Sequence, residues 1–179
     1  MAATLAPVER FHNNLVALGY MCASLVETLY KERLTQLEPA YVRMGVAMLQ
    51  HSDKEQLLEL FIEHSYPYWN QLYVRDEQFF QANVSKIFPT WDARFAGMFA
   101  ELFDAHRPDG SKAVGQEARD GVWKILHNLV KIAIHHISEQ RKPVRRGGVI
   151  EWTLPEYANI DTPMSVLVAQ WDIAKTLRV

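Results

Sequence analysis

At 179 residues, with 49% apolar, 22% charged and 11% aromatic residues, the chain has the composition of an ordinary globular protein long enough to bury a core without staples. A formal net charge of -2 argues against a general polyanion binder, and a single cysteine, Cys22, excludes both an intrachain disulfide and a thiolate metal cluster. The N-terminal stretch MAATLAPVER lacks the pattern of a signal peptide, and no apolar run reaches the ~20 residues a bilayer requires, so a cytoplasmic or other intracellular protein without a membrane partner is expected.

Phe11, Leu15, Leu18, Cys22, Leu25 and Leu29 repeat at alternating steps of four and three. That spacing predicts a long first helix over about 7–36, with Met21, Val26 and Leu34 widening its apolar stripe. Packing within a bundle is the expected use of this seam, and pairing with a second copy is the alternative. Cys22 falls on the same face and reads as a small buried hydrophobe. A short second helix follows at 40–49. Ser52-Asp53-Lys54-Glu55 reads as a capping box with Ser52 at the N-cap, opening a third helix through Leu57, Leu58, Phe61 and Ile62. Tyr66-Pro67-Tyr68 interrupts it, because a residue preceding proline is pushed away from helical geometry. A helix over 68–87 is expected next, then an aromatic row at Trp91, Phe95, Phe99 and Phe103, then a loop at Arg107-Pro108-Asp109-Gly110.

Residues 123–140, WKILHNLVKIAIHHISEQ, are apolar over most of a helix circumference and predict a central rod surrounded by other helices. Pro143 and Gly147-Gly148 end it. Residues 149–161 are the one candidate strand, and Thr162-Pro163 opens a final helix carrying Val166, Leu167, Ala169 and Trp171. The expected fold is therefore all-α: a single domain, over residues 1–179, of six to seven bundled helices around a central apolar helix.

Sites of chemistry are harder to find. His127, Lys131 and His135 share one polar strip of the central helix, but His127 and His135 lie about 12 Å apart along the axis and cannot share a metal. No zinc-peptidase His pair is present, so no metal and no cofactor is expected. His136 falls on the apolar side, as a satisfied core histidine or as an acid–base or ligand-binding group. Glu59 and Glu63, one turn apart and followed by His64, suit a solvated helix face as well as acid–base work. No nucleophile elbow is present, and no catalytic residue is assigned.

Two features fit a partner. Residues 111–150 hold eight basic and three acidic residues, a local excess of five. The cluster Arg141, Lys142, Arg145 and Arg146 can serve the helix dipole and solubility, or meet an acidic protein surface or nucleic-acid phosphates. Residues 66–103 hold eleven aromatics, of which Tyr66, Tyr68, Trp69 and Tyr73 straddle the proline break and all carry polar groups. Such side chains are favoured at protein interfaces. The leading expectation is a non-enzymatic interaction or structural protein that meets another protein, or itself as a homo-oligomer. A small helical enzyme or ligand-binding protein, with a pocket near His136, is the alternative.

Residues 61–89, FIEHSYPYWNQLYVRDEQFFQANVSKIFP, resemble uncharacterised helical proteins of large double-stranded DNA viruses. The resemblance is carried by Ser65, Tyr68-Trp69, Arg75-Asp76-Glu77, Phe79-Phe80, Asn83 and Ile87-Phe88. It implies a viral protein of unknown or virion-associated role without enzymatic activity, and assigns no functional residue.

Overall fold

The computed structural model describes residues 5–88, 97, 101–140, 145–146 and 149–150. The fold is all-α. Helix α1 (Pro7–Lys31) starts on a proline at its first turn and turns Phe11, Leu15, Leu18, Cys22, Val26 and Leu29 inward. The heptad seam is thus occupied by the rest of the fold and is not available to a second copy. The helix stops short of the expected residue 36 because Arg33 adopts a left-handed conformation, φ 60°. The Leu34 N–H bonds the Leu29 carbonyl at 2.8 Å and the Arg33 N–H bonds Tyr30 at 3.0 Å, a Schellman closure. Leu34 is thereby folded back beside Leu29, where both line a cavity of about 10 Å³ with Leu102 and Ala105.

Helix α2 (Pro39–His51) also begins on proline and buries Val42, Val46 and Leu49. It runs antiparallel to α1: Glu27 pairs with Arg43, Gly19 meets Val46, and the His12 Nε2–H donates to the Leu49 carbonyl at 2.9 Å. Gly19 permits that approach, since a Cβ there would lie 2.9 Å from Val46 Cγ2.

Helix α3 (Lys54–Ser65) is capped by Asp53, whose Oδ1 accepts the Gln56 N–H at 2.8 Å. This corrects the expected capping box by one residue. Ser52 instead closes α2, with its Oγ donating to the Met48 carbonyl at 2.9 Å, so the stronger carboxylate acceptor next to it opens α3.

Tyr66–Tyr68 form one 3-10 turn around Pro67, followed by α4 (Trp69–Tyr73) and α5 (Glu77–Ile87). The single helix expected over 68–87 is therefore broken. Arg75 is left-handed, φ 57°, the Asp76 N–H bonds the Gln71 carbonyl at 3.0 Å, and the Asp76 carboxylate restarts the chain by accepting the Phe79 N–H at 3.0 Å.

Residues 101–104 are helical, and Leu102 and Phe103 are buried. The expected loop is a tight reversal in which Gly110, φ +83°, donates to the Arg107 carbonyl at 2.9 Å, and His106 bridges Lys112.

Helix α6 (Gln116–Gln140) is the central rod. Leu126, Leu129, Val130, Ile132, Ala133 and Ile134 are all buried, over rather more than half of the helix circumference. Gly121 meets Met21 of α1, Trp123 packs edge-on to Phe80 of α5 at 5.6 Å, and Arg119 pairs with Glu77. One buried cluster runs from Phe11 to Ile137, with Phe61 bridging Phe11 and Phe88 at 5.2 and 5.5 Å between ring centroids.

Beyond α6, β1 (Arg145–Arg146) pairs antiparallel with β2 (Val149–Ile150), so these two arginines sit in a short strand and not in the loop expected for the basic cluster. Their side chains, Arg141, Lys142, Trp91, Phe95, Phe99, the rest of the 149–161 segment and the helix expected from Thr162 lie outside the described residues.

Candidate functional site

The aromatic segment at the proline break is divided by the fold into an inner and an outer face. Trp69 is 1% exposed, and its indole N–H donates to Ser65 Oγ, itself buried, at 2.8 Å. Leu72 is equally buried, and its carbonyl accepts the His127 Nε2–H from α6 at 2.8 Å. Tyr68 is half-buried and packs on Phe79, 5.2 Å between ring centroids. Trp69 is therefore a core anchor and offers nothing to a partner, which corrects its placement among the expected contact residues.

Tyr66, Tyr73 and Val74 face outward, 36%, 38% and 66% exposed. With Asn70 they follow helical spacing along one surface. Val74, which sequence reasoning passed over, is the most exposed apolar side chain of this group; its nearest signal was its position one residue beyond Tyr73.

This surface is held from behind at several points. The Schellman closure at Arg75 ends α4 directly beneath Tyr73 and Val74, and the Arg75 guanidinium donates to Asp120 Oδ1 on α6 at 2.9 Å. His127 secures the last turn of α4 through the Leu72 carbonyl. Burial holds the His127 imidazole below its ordinary pKa, with Arg75 and Lys131 adding to that effect against the opposing carbonyl bond. A neutral ring with hydrogen on Nε2 is the form that fits the site.

A second histidine of the central helix also has a partner. His136 is buried, as expected from its helical phase, and its Nε2 lies 3.1 Å from Glu59 Oε1, a half-exposed carboxylate on α3. The structure thus joins Glu59 to His136, a pairing across 77 residues that no local spacing announces. His127, Lys131 and His135 are half-buried. Cys22 is fully buried, and desolvation pushes its thiol pKa up, so the nucleophilic thiolate is suppressed.

Among the described residues no three His, Cys, Asp or Glu side chains gather where they could hold a metal ion. No described helix is long and apolar enough to cross a membrane. No known family, curated protein or solved structure matches this chain. The geometry of the chain's own surfaces is what functional argument can use.

Proposed function

We propose that this chain is a non-enzymatic interaction or structural protein that presents Tyr66, Tyr73 and Val74 to another protein. The observation that carries the reading is the outward apolar face of α4, fixed to the core by Trp69, Leu72 and the Arg75 closure. A rigid surface of tyrosine and aliphatic side chains gives large contact area with little rotamer entropy to lose on binding. The resemblance of residues 61–89 to helical viral proteins supports a virion as the setting. The test is a Tyr73→Ala, Val74→Asp double variant. It should lose a partner that the wild-type chain retains at fixed stoichiometry while its melting temperature stays within a few degrees. Retention of that partner, or wild-type protein that retains none, refutes the proposal.

One observation favours the second reading, a small helical enzyme or ligand-binding protein. A carboxylate within hydrogen-bond reach of a histidine is the arrangement that orients a general base. Under that reading a small molecule would co-purify, and His136→Gln and Glu59→Gln would each release it. Native mass spectrometry of the intact chain distinguishes the two.

A further inference from the structure

Helix α2 has two apolar faces, and only one is covered within the described residues. Val42, Val46 and Leu49 point into the core. On the opposite side Met44 and Met48 are 55% and 67% exposed, Ala40 and Ala47 are exposed between and before them, and Tyr20 of α1 stands alongside at 51%. Positions 40, 44, 47 and 48 form a stripe at helical spacing, as regular as the buried one.

From this face we infer that α2 is a homodimer contact, on which a second copy of this chain packs antiparallel about a twofold axis beside Ala47. The proposal concerns a different surface from that of α4 and stands or falls separately.

Charge placement selects the occupant. The centre of the face carries no unbalanced charge: Arg43 is paired with Glu27, and Gln50 donates to the Tyr20 hydroxyl at 2.8 Å. The two ends differ: exposed, acidic Glu38 lies at the N-cap and the exposed imidazole of His51 lies in the last turn, while Lys54 beyond it is already paired with Glu9. An antiparallel pair centred between Met44 and Met48 sets Met44 of each copy against Met48 of the other. It also brings Glu38 of each copy towards the His51 imidazole of its mate, and opposes the helix dipoles favourably. A parallel pair would place Glu38 against Glu38. The small side chains of Ala40 and Ala47 allow the ~8–10 Å axial distance of packed helices. A face that is complementary to itself under rotation is what an isologous dimer needs.

Area sets the strength. The two methionines and Tyr20 expose roughly 350 Å² per copy, the size at which a patch marks a contact. Doubled by symmetry and with its polar rim added, the interface reaches about 1,000 Å², the low end of specific association. A reversible dimer with a Kd on the order of 10–100 µM is expected.

The experiment uses the full chain. Sedimentation velocity from about 1 to 200 µM should show monomer passing to dimer, and Met44→Lys with Met48→Lys should weaken association at least about tenfold without changing the thermal melt. Under mild oxidation Ala47→Cys should give a covalent dimer on a non-reducing gel. The wild type should give none, because Cys22 is buried, and Val74→Cys on the α4 surface should give little. Wild-type protein that stays monomeric at the highest concentration overturns the proposal, as does association that survives both lysines, or equal cross-linking through Val74→Cys. Engagement of the α2 methionines by a foreign protein alone would also overturn it, and would leave the α4 reading to its own Tyr73 and Val74 variants.

Discussion

Gly19→Ala tests the close approach of α1 to α2. In an open helix the exchange stabilises by about 0.5–1 kcal/mol, because alanine loses less backbone freedom on folding. Here the added methyl would lie 2.9 Å from Val46 Cγ2, 3.5 Å from Cγ1 and 3.7 Å from Cβ. Comfortable carbon contacts begin near ~3.5 Å, so about 0.6 Å must be found. Val46 cannot yield by rotation: it is fully buried, and its branched Cβ allows one favoured χ1 in a helix. The helices must therefore part, and overpacking of this kind costs about 1–3 kcal/mol. The net expectation is destabilisation by roughly 1 kcal/mol, the overpacking cost less the propensity gain. Val46→Ala removes both obstructing methyls and itself costs roughly 2 kcal/mol or more, as lost transfer energy plus a cavity. In that background the methyl added at position 19 faces only the Cβ of residue 46 at ordinary contact distance, and Gly19→Ala should become stabilising by about 0.5–1 kcal/mol. The cycle thus predicts a coupling of roughly 1.5–2 kcal/mol, several times the error of additivity. Urea denaturation followed by far-UV circular dichroism measures all four proteins, provided the m-values agree. If Gly19→Ala stabilises both backgrounds equally, α1 and α2 do not approach as described.

Trp69→Ala should cost about 3–5 kcal/mol as a buried truncation, while Tyr73→Ala should stay within about 0.5 kcal/mol; comparable losses in chemical denaturation would contradict the inner and outer assignment. His127 has its pKa lowered by folding, so the unfolded chain binds the extra proton first as pH falls. Stability contributed by neutral His127 is complete above about pH 6.5 and declines below it, with a slope that cannot exceed the ~1.4 kcal/mol per pH unit of one proton. His127→Gln should flatten the pH dependence of the denaturation midpoint just below about pH 6.5, and an unchanged profile would exclude this residue as its source. Arg33→Gly should raise stability by up to about 1 kcal/mol by removing a left-handed penalty, whereas Arg75→Gly, which also loses the Asp120 bond, should gain less. Thermal melts of the two variants decide it, and a larger gain at Arg75 would count against the account.

The parts of the fold legible in the sequence are those in which a single helix reports its own periodicity. Phe11 to Leu29 mark the buried side of α1, Pro39 marks the start of α2, and the broadly apolar run from Trp123 to Ile137 marks the central rod. What was not legible depends on competition or on distance. Ser52 and Asp53 can each cap a helix, and which one opens α3 is decided by α2 ending on the same serine. Arg33 and Arg75 terminate helices at positions where glycine is the usual signal, so nothing in composition flags them. The α4 face was half visible: polar aromatic character groups Tyr66 with Tyr73, but it groups Trp69 with them too, and only the folded chain shows that indole buried against Ser65. The pairing of His12 with Leu49, of His127 with Leu72 and of His136 with Glu59 links residues 37, 55 and 77 apart, and only the folded chain brings them together.

Those long-range bonds also explain how outward apolar side chains are maintained. A five-residue helix such as α4 has too few internal hydrogen bonds to persist alone, and α2 at thirteen residues is marginal. Left free, each would rotate to bury its second apolar face. In both cases a histidine from a long helix donates to a carbonyl in the short helix's last turn: His12 of α1 to Leu49, and His127 of α6 to Leu72. The bond adds a second donor to a carbonyl that already accepts a backbone N–H, from Ser52 at Leu49 and from Arg75 at Leu72, and it fixes the rotation of the short helix about its axis. Met44 and Met48, like Tyr73 and Val74, are thus held outward by the core itself. Replacing His12 or His127 should therefore disturb the outer surfaces before it unfolds the protein, with increased amide hydrogen exchange confined to α2 or to α4. Exchange that rises uniformly across all helices would show instead that the two histidines serve only global stability.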